Sequence, residues 1–257
     1  MYHLSFRRMG SLVALGAAAG AFEAGAAEQP AEKSAAAEEA KPVAPWKSSA
    51  AVGMTLTRGN SETLTVNGTV ETSRQWSQNE AALGASVTYG EEKDEVTASS
   101  MSGYGQYNRL FGERFYAFGR ADALHDDLAD LAYRVTLSPG AGCYFLKNKK
   151  FTLSGELGPS MVFERLGGEN YSYWTLRVGE KFGWQVNERA RLWQRLDYSP
   201  QTDDLSDYVV NAEVGFETDI TKRLGLRVVA LDTYRSEPAP GREANDFKLI
   251  TGISYKF

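Results

Sequence analysis

The sequence predicts an all-β chain, a closed barrel of twelve antiparallel transmembrane strands. Three observations carry that expectation. Apolar and polar residues alternate with a period of two in successive runs from Trp46 to Phe257. The connectors between runs are alternately short and longer. Aromatic residues gather at the ends of the runs, on their apolar side. A period of two puts each set of side chains on its own face of a strand.

The first segment lies outside this pattern. Arg7 and Arg8 precede an uncharged stretch from Met9 to Phe22 that is rich in Leu, Val, Ala and Gly, and small residues cluster at Ala24-Gly25-Ala26-Ala27. A basic start, a short apolar segment and small residues before the cut predict a secretory signal peptide over residues 1–27. The apolar stretch is shorter than the about 20 residues a spanning helix needs. Residues 28–45 hold Ala, Glu, Lys and Pro with almost no large apolar side chain. Such a composition buries too little surface to offset chain entropy, which predicts a disordered periplasmic tail. Residues 46–257 then form one domain, with Cys143 as its single cysteine and hence no internal disulfide. The mildly acidic charge argues against nucleic acid as a partner.

The alternation places the strands at about 47–57, 62–73, 80–89, 99–109, 115–124, 133–145, 151–164, 173–185, 190–198, 207–217, 224–234 and 246–257. In the sixth, Tyr133, Val135, Leu137, Ala141, Cys143 and Phe145 oppose Arg134, Thr136, Ser138, Gly140 and Gly142. In the tenth, Tyr208, Val210, Ala212, Val214 and Phe216 oppose Val209, Asn211, Glu213 and Gly215. Short connectors include Leu110–Arg114 and Val186–Arg189; longer ones include Gly90–Thr97, Arg165–Ser172 and Ser199–Ser206. Short turns at one end and longer loops at the other are the two ends of a bacterial outer-membrane barrel. An even strand count returns both termini to the periplasm.

A soluble sandwich would alternate in the same way, so the face that meets lipid needs its own argument. Phe163, Trp174, Trp184, Tyr198, Tyr234 and Phe257 share the apolar parity and lie near strand ends, where amphipathic rings mark membrane interfaces. The opposite face carries Arg120, Asp122, Arg134, Glu156, Arg177, Lys181, Arg191, Arg195, Asp197, Glu213, Arg227 and Lys248. These are the candidate lumen-lining residues. One strand breaks the rule: Glu180 stands among outward Val178, Phe182 and Trp184, and Gln194 stands among outward Leu192, Leu196 and Tyr198 at about the opposing position. A bulge, overhanging strand ends or a protein contact would each account for the pair.

Gly252, Tyr255 and the terminal Phe257 resemble the signature by which outer-membrane barrels are recognised for assembly, although Ile250 stands where that signature carries a polar residue. The hairpin Thr57-Arg58-Gly59-Asn60-Ser61-Glu62-Thr63 resembles the Gly-Asn-Ser/Thr turn of a domain-of-unknown-function family, and Tyr107-Asn108-Arg109-Leu110 before an aromatic strand is similar too. That family is the group named as salt-induced outer-membrane proteins. The resemblance covers roughly residues 46–257 and implies a barrel in the outer membrane of a Gram-negative cell, without implying a reaction. Its partners would be outer-membrane lipid and lipopolysaccharide, and the barrel-assembly machinery that reads the last strand.

Three function classes follow. The first is a narrow passive channel for small polar or anionic solutes, because Arg and Lys outnumber Asp and Glu among the candidate lumen residues. The second is a structural or adhesive envelope barrel whose lumen is closed by salt bridges, since charges in a confined space pair. The third is a lipid-modifying enzyme, which would need a Ser–His pair. After residue 27 the only histidine is His125, beside Asp126 and Asp127, with no Ser next to it in sequence. No enzyme, cofactor or metal site is therefore expected. Joining His125 and its neighbours to Asp203, Asp204 or Asp207 would suit a hard cation in chemistry, but the spacing matches no known calcium loop.

Overall fold

The computed structural model describes residues 45–57, 63–92, 95–238 and 244–257. The expected signal peptide, all but the last residue of the expected tail, and the Gly59-Asn60-Ser61 turn lie outside the described residues. Twelve strands follow in chain order: β1 Lys47–Thr57, β2 Thr63–Trp76, β3 Asn79–Glu92, β4 Glu95–Phe111, β5 Phe115–Asp126 and β6 Leu131–Lys147. They continue with β7 Phe151–Leu166, β8 Glu169–Gln185, β9 Ala190–Pro200, β10 Tyr208–Asp219, β11 Leu224–Arg235 and β12 Asn245–Lys256. Each pairs antiparallel with its sequence neighbours, and β1 pairs with β12, so the barrel closes. Closure removes the unpaired edges that neither lipid nor the membrane interior could satisfy.

Carried once round the wall, the register is staggered by about sixteen residues, which tilts twelve strands by roughly 45° and sets a backbone radius of roughly 12 Å. Alternation then does what the pattern demands. Val52, Met54, Val87, Leu157, Leu226 and Ile253 are exposed on the outer wall. Gln106, Ser138, Glu156, Arg177, Glu217 and Ser254 are buried on the inner one. Such a distribution is inverted relative to a soluble domain and fits an apolar solvent outside. Outward rings form two bands, Trp46, Phe115, Phe151, Trp184 and Phe257 at the end holding the termini, and Tyr89, Trp174, Tyr208 and Tyr234 at the other. With a rise of about 3.3 Å per residue along tilted strands, the bands stand roughly 25 Å apart, the height of an outer-membrane apolar belt.

Several strands outrun their expected limits. β4 begins at Glu95 and β8 at Glu169, so the connectors expected over Gly90–Thr97 and Arg165–Ser172 are largely strand. Gly167 and Gly168, both at positive φ (59° and 81°), turn β7 directly into β8. Two consecutive left-handed residues make the tight hairpin turn that matches strand twist. The ladder continues past the apolar band, where polar side chains such as Glu169 and Asn170 face water and the hydrophobic pattern no longer marks the strand.

Two glycines permit closure. A Cβ on Gly252 would lie 2.3 Å from the Val52 carbonyl oxygen, and one on Gly53 would lie 2.5 Å from that of Thr251. The β1–β12 seam, paired only over Ser49–Gly53 and Gly252–Lys256, needs this close backbone approach.

Candidate functional site in the barrel lumen

The inner wall brings most of the candidate lumen residues together as ion pairs. Glu156 on β7 is the hub. Its Oε1 accepts from Lys181 Nζ at 2.7 Å, Gln106 Nε2 at 2.8 Å and the Tyr116 hydroxyl at 3.0 Å, and its Oε2 accepts from Arg177 Nη1 at 2.8 Å. Arg177 also pairs with Asp197. Arg120 binds Asp122 through two nitrogens, with Nε 2.8 Å from Oδ2 and Nη2 2.6 Å from Oδ1. Arg195 pairs with Glu213 at 3.3 Å, and Glu213 also accepts from the Trp193 indole. Arg134 and Arg191 lie nearer the two mouths. Lys248 is exposed on the inner wall towards the loop-bearing end.

The expected cation surplus is largely met by acids absent from the sequence-derived set. Glu164 binds Arg134 at 2.5 Å, Glu217 binds Arg191 at 3.1 Å, and Glu71 binds Arg227 at 3.1 Å and Arg195 at 3.9 Å. Glu80 binds Lys147 at 2.9 Å and accepts from the Tyr144 hydroxyl at 2.6 Å. Their signal was present: Glu71 shares the parity of Thr65 and Asn67, and Glu164 that of Glu156 and Ser160. The rings of Tyr104, Tyr116, Tyr144 and Trp193 also turn inward, against the expectation that aromatic residues mark the outer face. Arg227 and Arg191 lie over the Trp193 ring at 4.9 and 5.1 Å from its centroid, and Arg120 over Tyr104 at 4.6 Å.

Some of these contacts span the bore. Arg195 on β9 reaches Glu71 on β2, on the far side of the twelve-strand ring. Lys181 on β8 donates to Gln106 Oε1 on β4 at 3.0 Å. They form a layer near mid-height. Beyond it, towards the loop-bearing end, lies a cavity of about 440 Å³. Its floor is made by Glu71, Arg120, Lys181, Arg195 and Arg227, and its sides by small or polar residues such as Asn67, Thr88, Ser100, Ser102 and Asn211.

The enzyme and cation readings meet a different geometry. His125 is the penultimate residue of β5, which runs to Asp126. Its Nδ1 is 2.9 Å from the Ala132 carbonyl oxygen and its Nε2 is 3.0 Å from Asp127 Oδ1. The Ser99 hydroxyl donates to Asp127 Oδ2 at 2.6 Å. Asp127 thus stands between serine and histidine, whereas nucleophile activation needs the histidine in that place. The Ser99 hydroxyl first, and then His125, hold the Asp127 carboxyl below the usual carboxylate range. Asp204 and Asp207 sit in the β9–β10 connector with their own partners, Ser206 and Gln201. Among the described residues no three His, Cys, Asp or Glu side chains converge as a metal site.

A closed wall of twelve antiparallel strands, with an apolar band outside and ion pairs within, defines an outer-membrane-type β-barrel. Residues 50–257 match the family described as "Protein of unknown function, DUF481", and the chain belongs to that family. No curated protein matches the sequence. Among solved structures the chain is similar to the NanC porin, at 10% identity and a TM-score of 0.52 over 82% of this chain and 100% of the porin's. It is also similar to the KdgM porin, at 10% identity and a TM-score of 0.47 over 83% of this chain and 99% of the other. A third is the outer-membrane channel DcaP of Acinetobacter baumannii, at 10% identity and a TM-score of 0.41 over 82% and 95%. At 10% identity the likeness to the NanC porin is one of fold.

Proposed function

We propose that the protein is a narrow passive channel of the Gram-negative outer membrane, with both termini periplasmic, for small polar or anionic solutes. The observation that carries this reading is the cavity of about 440 Å³ inside the wall at the loop-bearing end, lined by charged and hydroxyl side chains among small and apolar ones. A vestibule with a charged floor and with Ser, Thr and Asn on its wall can admit a hydrated solute without specific chemistry. Lys248 adds an exposed cation near its mouth, which favours anions. Export by the signal peptide, lipid and lipopolysaccharide against the apolar band, and recognition of Gly252, Tyr255 and Phe257 by the assembly machinery complete the reading. No catalytic step is part of it, because His125 has no nucleophile on either ring nitrogen.

The mid-height layer is the gate in this proposal, and Glu71, whose side chain retains about a quarter of its accessible surface, is the acid that ties Arg227 and Arg195 together. Single channels of the purified protein in a planar bilayer are expected to show small unitary steps. Glu71→Ala is expected to enlarge them several-fold by releasing Arg227 and leaving Arg195 to Glu213 alone. One observation favours a second reading, the closed envelope barrel: the ties from Arg195 to Glu71 and from Lys181 to Gln106 cross the bore. A folded protein without steps, in both wild type and Glu71→Ala, would sink the channel and leave the closed barrel.

A further inference from the structure

Glu180 and Gln194 sit on the wrong wall for polar residues. Both follow the outward parity of β8 and β9, and that strand pair runs from Val178–Tyr198 to Gln185–Arg191 without a bulge. Neither side chain is turned into the lumen by an irregular register. Strand ends do not account for them either. Glu180 lies four residues from Trp184 in the band near the termini and six from Trp174 in the opposite one, which puts it within a few ångströms of mid-membrane. The expected direct opposition is corrected by the register: Glu180 faces Leu196, and Gln194 faces Phe182. The two meet along the diagonal, where Gln194 Nε2 donates to Glu180 Oε2 at 3.2 Å. Strand tilt brings that diagonal pair to within roughly 2 Å of the same depth.

One hydrogen bond leaves much unsatisfied. No other hydrogen bond is made by either side chain among the described residues, so Glu180 Oε1, the second N–H of Gln194 and its carbonyl oxygen face the hydrocarbon side. Acyl chains supply neither donors nor acceptors, and unpartnered polar groups at this depth are costly. The neighbouring outward residues Leu157, Val178, Leu196 and Val214 form an apolar surround.

We infer that β8 and β9 form the contact between two copies of this chain, with Glu180 of each hydrogen-bonded to the partner's Gln194. Two copies in one bilayer share a two-fold axis along the membrane normal, so an isologous contact joins residues of equal depth. Glu180 and Gln194 meet that condition on adjacent strands. The pair is also self-complementary: a carboxylate oxygen short of a donor lies beside an amide with an N–H to spare. An axis between β8 and β9 makes both bonds at once.

The test uses full-length protein in membranes, with Cys143→Ser and a single reporter, Leu196→Cys, beside the pair. A flexible bis-maleimide is expected to give a crosslinked dimer, and an outward reporter on a distant strand, Val87→Cys on β3, none. Glu180→Leu and Gln194→Leu are each expected to lower dimer yield at least ten-fold. Glu180→Gln, which keeps the hydrogen bonds, is expected to fold and retain the dimer. Heat-modifiable gel mobility reports folding of every variant. The inference is overturned by a folded protein that gives only monomer, by a dimer that survives both Leu substitutions, or by adducts to another protein instead of a second copy.

Discussion

Glu156→Gln removes a charge where four donors converge, and its cost can be worked from the site. The Glu156 side chain retains 1% of its accessible surface and that of Arg177 7%, while Lys181 retains 29%. Breaking a buried ion pair by removing one partner costs about 3–5 kcal/mol. Arg177 keeps Asp197 in the variant, and water partly screens Lys181. The expected loss therefore falls at the lower end, about 3 kcal/mol, which is roughly two powers of ten in the folding equilibrium. Reversible denaturant unfolding of the barrel in lipid vesicles measures it, as a lower midpoint at unchanged slope. Lys181→Met, alone and combined with Glu156→Gln, completes a cycle whose coupling should be about 0.5–3 kcal/mol. A loss below about 1 kcal/mol, or strict additivity of the two changes, would refute the view that Glu156 holds the mid-height layer together.

Two further outcomes are expected. Tyr255→Asp, or removal of Phe257, should block assembly and abolish the heat-modifiable form in outer-membrane fractions, because both rings are exposed, one on the closing strand and one just past its end, and stack at 6.2 Å between centroids. Normal membrane yield of either variant would count against the role given to that strand. Gly158→Ala places a methyl 2.1 Å from the Pro139 carbonyl oxygen, so β6 and β7 must part. A loss of about 1–3 kcal/mol in the same unfolding assay is expected from such overpacking, and an unchanged midpoint would show that the two strands yield freely.

Strand number, order and facing were legible because lipid outside and charge inside leave the same period-two imprint on every strand. β7 carries it from Phe151 to Phe163, with Glu156 the one charge in that span. Strand ends were not legible where the imprint stops. Glu91, Glu92 and Glu169 continue the ladder in water, where hydrogen bonding persists without apolar selection. Pairing was harder still. Arg227 finds Glu71 across β12 and β1, a contact fixed by barrel stagger and side-chain length rather than by any local pattern. The lumen tyrosines were hidden for a related reason. Tyr116 and Tyr144 put rings against each other at 5.0 Å and hydroxyls on Glu156 and Glu80, so an aromatic residue here serves the polar face.

The shape of the cavity follows from side-chain size rather than from strand number. All twelve strands stand at one radius, yet the space inside is uneven. On the β5–β8 side Phe118, Tyr116, Glu156 and Arg177 fill it, and each is buried. Towards β1–β4 and β12 the inner wall carries Gly53, Thr69, Gly84, Ser86, Thr88, Ser102 and Gly252. A wall of small residues cannot meet the far side, so the cavity opens there, and only long charged groups such as Arg195 and Arg227 reach across it. The tie from Arg195 to Glu71, on the cavity floor, is therefore an easily rearranged one. Arg195 keeps about a third of its side chain accessible, and its bond to Glu71 is 3.9 Å long. An ion pair that exposed is worth about 0–1 kcal/mol, against several for the buried hub at Glu156. The lumen thus joins a rigid half around Glu156 to a half whose ties can exchange with water or with an entering ion. Such a division places any solute path along the β1–β4 side of the bore, past Glu71.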